Sequence, residues 1–453
     1  MIANNDTITA CATPPGRGGV GVVRISGPLT AMIARTILGR LPKPRYATYA
    51  DFIGAKQEII DRGIALYFIA PHSFTGEDVL ELHGHGGPVV IDRLLARIIG
   101  LGARMAKPGE FSQRAFLNGK IDLTQAEAIA DLISASSIVA AENAARSLSG
   151  EFSQYIYSLV NALIALRVQI EAAIDFVEDE IDFIKITAIA KNLTQILQEV
   201  QRVKNAAKQG VLWRDGITIV IAGKPNVGKS SLLNRFTGEA TAIVTDIPGT
   251  TRDVLRSYVQ IDGIPLHVLD TAGLHVSTNV VEQEGIKRAL QEISRADHVL
   301  LVVDASAEKS REAKMLGEEL LAQLSEHKKF TIIYNKIDLS GEKVRVETTL
   351  DGINSIYLSA KTGMGLDLLK EHLKRSVGFV AAESGVSARR RHLEALNQAE
   401  QQLLRAQDSL TNGTYELLAE DLRQVQKSLD EITGKFTTDD LLQRIFSEFC
   451  VGK

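Results

Sequence analysis

Residues Gly223–Ser230 read Gly-Lys-Pro-Asn-Val-Gly-Lys-Ser, the phosphate-binding pattern G-x-x-x-x-G-K-S. Glycines at these positions let backbone N–H groups close around an anion, and a helix N-terminus behind them adds partial positive charge. Lys229 can reach the β- and γ-phosphates of a nucleoside triphosphate and stabilise charge during their cleavage, and the Ser230 hydroxyl can ligate Mg²⁺. Asn226, Val227, Gly228 and Ser231 complete the expected lining of the loop.

A phosphate loop does not name the base. Asn335-Lys336-Ile337-Asp338 is an N-K-x-D motif, and its carboxylate can accept both the ring N–H and the exocyclic amine of guanine. Adenine lacks those donors, so Asp338 would be left unpaired against it, a strong filter. The backbone of Ser359-Ala360-Lys361 can address the guanine O6. An isolated N-K-x-D can also be a turn with a capping Asp; in this order and company it reads as base recognition.

Two more motifs lie between phosphate loop and base motif. Asp270-Thr271-Ala272-Gly273 offers a carboxylate that supports Mg²⁺ from behind its direct ligands and a Gly273 N–H for the γ-phosphate. Gly249-Thr250-Thr251-Arg252-Asp253 is a threonine switch, with the Thr251 hydroxyl closing over Mg²⁺ when the γ-phosphate is present. Small regulatory GTPases carry Gln after D-x-x-G to orient the attacking water, but here Leu274 stands there and cannot. Two features offer a substitute. Asn226 can hold a monovalent cation beside the phosphates, offsetting charge as an arginine finger does. Glu282 can reach water indirectly, though Glu284 is an equal choice by composition and a surface carboxylate is the plain alternative.

These motifs need strands that end at them. The apolar runs Ile217–Ala222, Leu266–Leu269, Phe330–Ile333 and Ile356–Leu358 each precede one, and Ser231–Arg235 begins a helix. Elsewhere, the prolines crowd between Pro14 and Pro108, and none falls between Pro108 and Pro225. Residues 1–118, with short runs such as Gly21–Ile25, Ile64–Ile69 and Asp78–Leu82 around a helical stretch Val89–Gly100, are expected to form an α+β domain. Residues 119–216 are helical, with apolar positions such as Leu159, Leu163, Leu166 and Ile170; residues 217–376 are an α/β nucleotide domain; residues 377–453 are helical again. The arrangement is multidomain: one discontinuous all-α helical domain with an inserted α/β Ras-like domain, or two separate helical domains.

Composition narrows the setting. The 453 residues carry 51 basic and 55 acidic side chains, so no global basic field advertises nucleic acid. Cys11 and Cys450 are the only cysteines, too few for a disulfide framework or a zinc site. The first residues lack a secretory pattern, and no apolar run approaches the roughly 20 residues that span a bilayer. A soluble cytoplasmic protein is expected.

The five motifs resemble those of the TRAFAC-class GTPases over about residues 217–376. The ends of the chain sharpen this. Thr13-Pro14-Pro15-Gly16-Arg17-Gly18-Gly19-Val20-Gly21, Pro108-Gly109-Glu110-Phe111-Ser112 with Arg114–Lys120, and Phe449-Cys450-Val451-Gly452-Lys453 closely resemble the MnmE (TrmE) family of tRNA-modification GTPases. The resemblance implies an N-terminal folate-binding domain that forms a homodimer, a discontinuous helical domain and an inserted G domain. It implies potassium-dependent pairing of G domains that stimulates GTP hydrolysis. It implies a partner, the FAD-containing MnmG, in a heterotetramer or larger assembly that installs aminomethyl or carboxymethylaminomethyl groups on C5 of the wobble uridine of certain tRNAs. The one-carbon unit comes from a tetrahydrofolate derivative (5-formyl- or 5,10-methylene-). Carried over by residue, the potassium ligands are Asn226, Thr245, Ile247 and Thr250 within Thr245-Asp246-Ile247-Pro248-Gly249-Thr250; the catalytic glutamate is Glu282, since Gly285-Ile286 follows it as in the family; the folate residues are Arg24, Glu81, Lys120 and Lys453. Cationic groups suit the glutamate tail and a carboxylate suits the pterin edge; without the family, Arg24 and Lys120 are surface charges. Cys450 falls near the folate as a possible nucleophile or as a small buried apolar residue.

Three stretches stay outside this set. His83 and His85 make a weak metal pair, and a Gly-rich turn at Gly84–Gly87 shaping the folate cleft suits them better. The acidic run Asp175–Asp182 lacks an EF-hand pattern and is expected as a solvated helix end. Arg389-Arg390-Arg391-His392 is either an exposed helix start or a contact for tRNA phosphates. A ribosome-assembly GTPase acting as a binding switch, or a scaffold with a vestigial GTPase, is the competing function; binding of a reduced folate separates them.

Overall fold

Strands buried on one face need alternating apolar residues, and the N-terminal segment supplies them. In a computed structural model, β1 (Ile8–Cys11), β2 (Gly18–Ser26), β3 (Thr48–Ile53), β4 (Ile59–Phe68), β5 (Val79–Gly86) and β6 (Arg104–Met105) form a sheet in the order β3-β4-β5-β2-β1-β6, antiparallel except where β6 joins β1. The structure describes residues 6–175, 183–239, 256–261, 264–270, 296–305, 329–348, 352–379, 385–435, 439–447 and 449–452. Helices α1 (Thr30–Leu38) and α2 (Pro88–Ile99) cover one face, burying Ile33, Ile37, Leu94 and Ile98 against Val23, Ile25, Leu80 and Leu82. Near β1, the opposite face is closed by α3 (Glu110–Leu117), whose Phe111 packs with Ile8 and Ala10.

Gly84–Gly87 is not the turn the sequence suggests. β5 runs through Gly86, in register with Gly18 of β2. The backbones approach so closely that a Cβ on Gly86 would stand 2.8 Å from the carbonyls of Gly18 and Val20. The glycines serve strand contact here, not chain reversal.

Helices follow: α4 (Leu123–Ser134), α5 (Ile138–Leu148), α6 (Glu151–Asp175) and α7 (Phe183–Asp215). The acidic run begins at the end of α6, and the rest of it lies outside the described residues. Beyond the second sheet come α11 (Arg390–Thr411), α12 (Tyr415–Thr433) and α13 (Asp439–Ser447), numbered after α8–α10 below. α12 buries Leu418, Leu422, Val425 and Leu429, a stripe at three- and four-residue spacing, and packs on α6. Leu442, Ile445 and Phe446 of α13 pack with Phe449 on Phe116, Leu123 and Ala126, which sets the C-terminal tail near α3.

The second sheet is built from β7 (Ile217–Ala222), β8 (Arg256–Ile261), β9 (Ile264–Asp270), β10 (His298–Asp304), β11 (Lys329–Asn335), β12 (Arg345–Thr348) and β13 (Asn354–Tyr357). Its order is β12-β13-β11-β10-β7-β9-β8, with only the outer pairs antiparallel. The central strands read Ile-Thr-Ile-Val-Ile-Ala and His-Val-Leu-Leu-Val-Val-Asp and are buried nearly throughout, as parallel strands covered on both faces must be. Helices α8 (Lys229–Glu239), α9 (Ile337–Ser340) and α10 (Leu366–Ser376) follow β7, β11 and β13. After β7 the chain adds β9 on one side and β10 on the other, so the strand order reverses at β7, where open α/β sheets bind ligands beyond the carboxyl ends of their strands.

The chain packs as two units. One comprises Met1–Ile133, Ala145–Gln201 and Glu394–Lys453, and the other Ser134–Ala144 and Arg202–Leu393. Among the described residues no helix is long and apolar enough to cross a membrane. The triple arginine is not a uniform exposed start to α11. Arg389 is buried, with its N–H on His392 Nδ1 at 3.1 Å, while Arg390 is exposed and lies 3.8 Å from an Asp215 carboxylate oxygen.

Candidate functional site

The phosphate loop occupies the turn from β7 into α8. Asn226 and Gly228 both take positive φ, 63° and 99°, and Lys229 opens the helix. A Cβ on Gly228 would stand 2.2 Å from Asn335 Nδ2, so only glycine lets the base loop approach. Lys229 Nζ donates to the carbonyls of Gly223 and Lys224 at 2.7 and 2.9 Å, an ammonium folded across its own loop. Ser230 and Ser231 are exposed at the helix start, where backbone N–H groups have no partner within the helix.

The base motifs meet the phosphate loop directly. Asn335 ends β11 and is 2% exposed. Its Nδ2 donates to the Val227 carbonyl at 2.8 Å, and its Oδ1 accepts the Ala360 N–H at 2.9 Å. Lys336 is held at φ 68°, and its Nζ donates to the Asn226 carbonyl at 2.7 Å and to Asp304 at 2.9 Å. Left-handed backbone at a bulky residue is sterically costly and persists where neighbours enforce it. Asp338 accepts the Ser359 hydroxyl at 2.6 Å, which leaves its other carboxylate oxygen for a ligand. Lys361 is exposed, and its carbonyl accepts Arg235 Nη2 at 3.0 Å.

Two of these partners, Asp304 and Arg235, were not singled out from the sequence as site residues, and Ser359 was named for its backbone alone. Asp304 closes an apolar strand just as Asp270 does, and that strand-end carboxylate was a usable signal. The Ser359 side chain and Arg235 carry no such mark. The remaining expected nucleotide and cation residues, Thr245, Asp246, Ile247, Pro248, Gly249, Thr250, Thr251, Thr271, Ala272, Gly273 and Glu282, lie outside the described residues, and of Asp270 only its place at the end of β9 is described.

The other unit holds a second polar site. Arg24 of β2 and Glu81 of β5 are register partners, and Arg24 Nε donates to Glu81 Oε1 at 2.9 Å. His83 Nε2 lies 3.1 Å from Glu81 Oε2, so both carboxylate oxygens are engaged. The Arg24 guanidinium carbon is 5.6 Å from the Phe74 ring centre and 5.7 Å from that of Phe111, and Nη1 donates to the Gly452 carbonyl at 3.4 Å. Lys120 is exposed and donates to the Pro71 carbonyl at 2.8 Å, on the loop that carries Phe74. Lys453 lies outside the described residues. Cys450 is exposed rather than buried, although Phe449 before it and Gly452 after it are buried. His85 Nδ1 pairs with Asp61 at 2.8 Å, and among the described residues no group of three His, Cys, Asp or Glu could hold a metal.

A phosphate loop at the strand-order reversal, joined through Asn335 to a base loop with a free carboxylate oxygen, defines a P-loop protein of the guanine-nucleotide type. Comparison with known proteins carries this further. Residues 123–450 match the family described as MnmE helical domain, and residues 7–120 match that described as GTP-binding protein TrmE N-terminus. The tRNA modification GTPase MnmE of Pseudomonas aeruginosa strain UCBPP-PA14 is 58% identical over 455 residues, covering 100% of both chains. That of Ectopseudomonas mendocina strain ymp is 57% identical over 450 residues, covering 99% of each. Among solved structures, the G domain of the T. maritima FeoB iron transporter is 27% identical with a TM-score of 0.28, covering 35% of this chain and 98% of that one. The chain belongs to the MnmE family of tRNA modification GTPases, and it is a GTP hydrolase.

Proposed function

We propose that GTP hydrolysis in this chain is potassium-stimulated and drives, together with MnmG, the addition of an aminomethyl or carboxymethylaminomethyl group to C5 of the wobble uridine of certain tRNAs. The four segments 1–118, 119–216, 217–376 and 377–453 act as folate-binding and dimerisation domain, first helical part, G domain and second helical part. The one-carbon unit comes from a reduced folate at Arg24, Glu81, Lys120 and Lys453.

The observation that carries the folate assignment is the Arg24–Glu81 pair on the sheet, with the Gly452 carbonyl on the same guanidinium. A half-buried ion pair beside two aromatic rings fits a ligand with a flat, hydrogen-bonding head and an anionic tail. Arg24 can release its chain carbonyl to take a carboxylate, and Glu81 can turn an oxygen to an aminopyrimidine edge. Lys120 adds a cation from the Phe74 side.

In the G domain, Asp338 selects guanine, Asn335 sets the distance between base and phosphates, and Lys229 moves from its own loop carbonyls onto the β/γ-phosphates. Ser230 and Thr251 are the Mg²⁺ ligands. Mg²⁺ supplies positive charge to the phosphate oxygens. Asn226, Thr245, Ile247 and Thr250 would hold potassium, which supplies the charge an arginine finger brings in other GTPases. Glu282 positions water through an intermediary. The exposure of Asn226 at positive φ supports an outward-facing cation ligand there.

Calorimetry with 5-formyltetrahydrofolate tests the folate site: micromolar or tighter binding by the full chain, lost in Arg24→Ala, is expected. Absence of binding removes that half of the proposal. GTPase rates in KCl and NaCl at equal ionic strength test the other half, and equal rates remove the potassium role. Mass spectrometry of tRNA nucleosides from cells lacking the protein tests the modification itself.

A further inference from the structure

The fold carries its two cysteines from opposite ends of the chain to one cavity. Cys11 ends β1, and Cys450 lies in the tail after α13. Both line a space of about 800 Å³ walled by Ile91, Leu95, Met105 and Val451. Strand alternation turns the Cys11 side chain toward α2, against the core that holds Val23, whereas Ala10, Arg24 and Glu81 face the other way. The Cys11 side chain and the proposed folate pair therefore lie on opposite faces of the sheet, while the tail touches Arg24 through the Gly452 carbonyl.

The tail is seated against β1 by specific contacts. β6 pairs with β1 only at Ile8 and Thr9, which leaves the Ala10–Cys11 edge uncovered by β6. Gly452 approaches this edge at φ 97°, so near that a Cβ would stand 2.3 Å from the Cys11 carbonyl. The Cys450 carbonyl accepts the Gly109 N–H at 3.4 Å. A disulfide requires α-carbons within about 7 Å. Gly452, two residues beyond Cys450, is seated on Cys11 itself, so the stretch of tail that carries Cys450 runs past the end of β1.

We propose that Cys11 and Cys450 form a dithiol site that closes to an intramolecular disulfide, tying the C-terminal tail to β1. The oxidant is a low-molecular-weight disulfide such as oxidised glutathione. Cys450 is exposed, while Cys11 is half-buried with its Sγ 3.3 Å from Thr13 Oγ1, so Cys450 reacts first. Its thiolate bonds to one glutathione sulfur, and the other glutathione departs as a thiolate. The Cys11 thiolate then attacks the Cys450 sulfur, the protein S–S bond forms, and the second glutathione departs. Both thiol protons end on the released glutathiones, and two electrons pass from protein to oxidant.

The test uses the full-length protein, titrated with oxidised glutathione, then trapped with an alkylating agent and read by intact mass and non-reducing peptide mapping. The expected product has lost two hydrogens, takes up no alkyl group, and yields one cross-linked peptide pair containing Cys11 and Cys450. Cys11→Ser should stop at a stable glutathione adduct on Cys450. Persistent adducts on wild-type Cys450, disulfides only between separate chains, or two thiols alkylated at every glutathione ratio would each overturn the proposal.

Discussion

Asn335 and Val227 are joined by a buried 2.8 Å hydrogen bond, from the side-chain amide of the first to the backbone carbonyl of the second. The same side chain accepts the Ala360 N–H, so one residue ties the phosphate loop to the base loop. Asn335→Ala leaves both backbone groups without this partner, at about 1–3 kcal/mol each. GTP affinity should fall by about tenfold or more, with a lower urea midpoint. Fluorescent-nucleotide titration and urea unfolding check this, and unchanged affinity would mean the two loops are held together by other contacts.

Asp338 is the proposed acceptor for the base, and Ser359 fixes one of its carboxylate oxygens. Asp338→Asn replaces an acceptor with a donor, which matches the 2-oxo group of xanthine instead of the amine of guanine. Affinity for GTP should fall by about 10²-fold or more, and xanthosine triphosphate should become the better ligand. Competition binding with the two nucleotides decides it.

His298 sits at the opposite end of β10 from Asp304, 1% exposed, bonded to Thr331 Oγ1 at 2.9 Å. Burial pushes its pKa down to about 3, with His372 and Lys329 adding repulsion. The unfolded chain takes a proton near the ordinary value of 6.5 and the folded one does not. This contribution to stability is therefore complete above pH 6.5 and declines as pH falls toward 3. Urea midpoints of wild type should drop across that window more steeply than those of His298→Gln. Parallel curves would show that His298 is already charged in the fold.

Arg114 is 2% exposed and donates to Asp6, Glu77 and Glu110. Burial alone would raise the Glu110 pKa, but Arg104, the Lys107 N–H and Arg114 more than offset it and hold the carboxyl below its ordinary value. Arg114→Met leaves the buried Glu110 carboxylate with Arg104 as its remaining cation and takes a partner from the more exposed Asp6 and Glu77, and should cost about 3 kcal/mol. Melting of the variant should shift down at pH 7 and recover in part under acid, where Glu110 protonates. Wild type, by contrast, should lose stability as pH falls below the ordinary glutamate range. Calorimetric scans over pH separate the two trends.

Four of the five parallel strands of the G domain were legible because strands covered on both faces must be apolar, which no surface segment needs; β10, as apolar as the rest, was not singled out because no recognised nucleotide motif follows it. Ile217–Ala222 is such a run, and β7 has those same ends. The phosphate-loop and N-K-x-D residues could be nominated from the sequence because the chemistry proposed for them depends on spacing along the chain. The Gly84–Gly87 stretch misled for the opposite reason: glycine marks both turns and close strand contact, and only the neighbouring strand distinguishes them.

What the linear order marked by itself was the apolar runs that precede the nucleotide motifs and the motifs themselves, since both are local patterns of a few residues. The tertiary structure decided the pairings: Arg24 with Glu81, Ser359 with Asp338, Lys336 with Asp304, and both cysteines at one cavity. Each pair is separated in sequence by intervening strands or helices. Its distance is set by register and packing, and a side chain's type does not encode which distant backbone will arrive beside it.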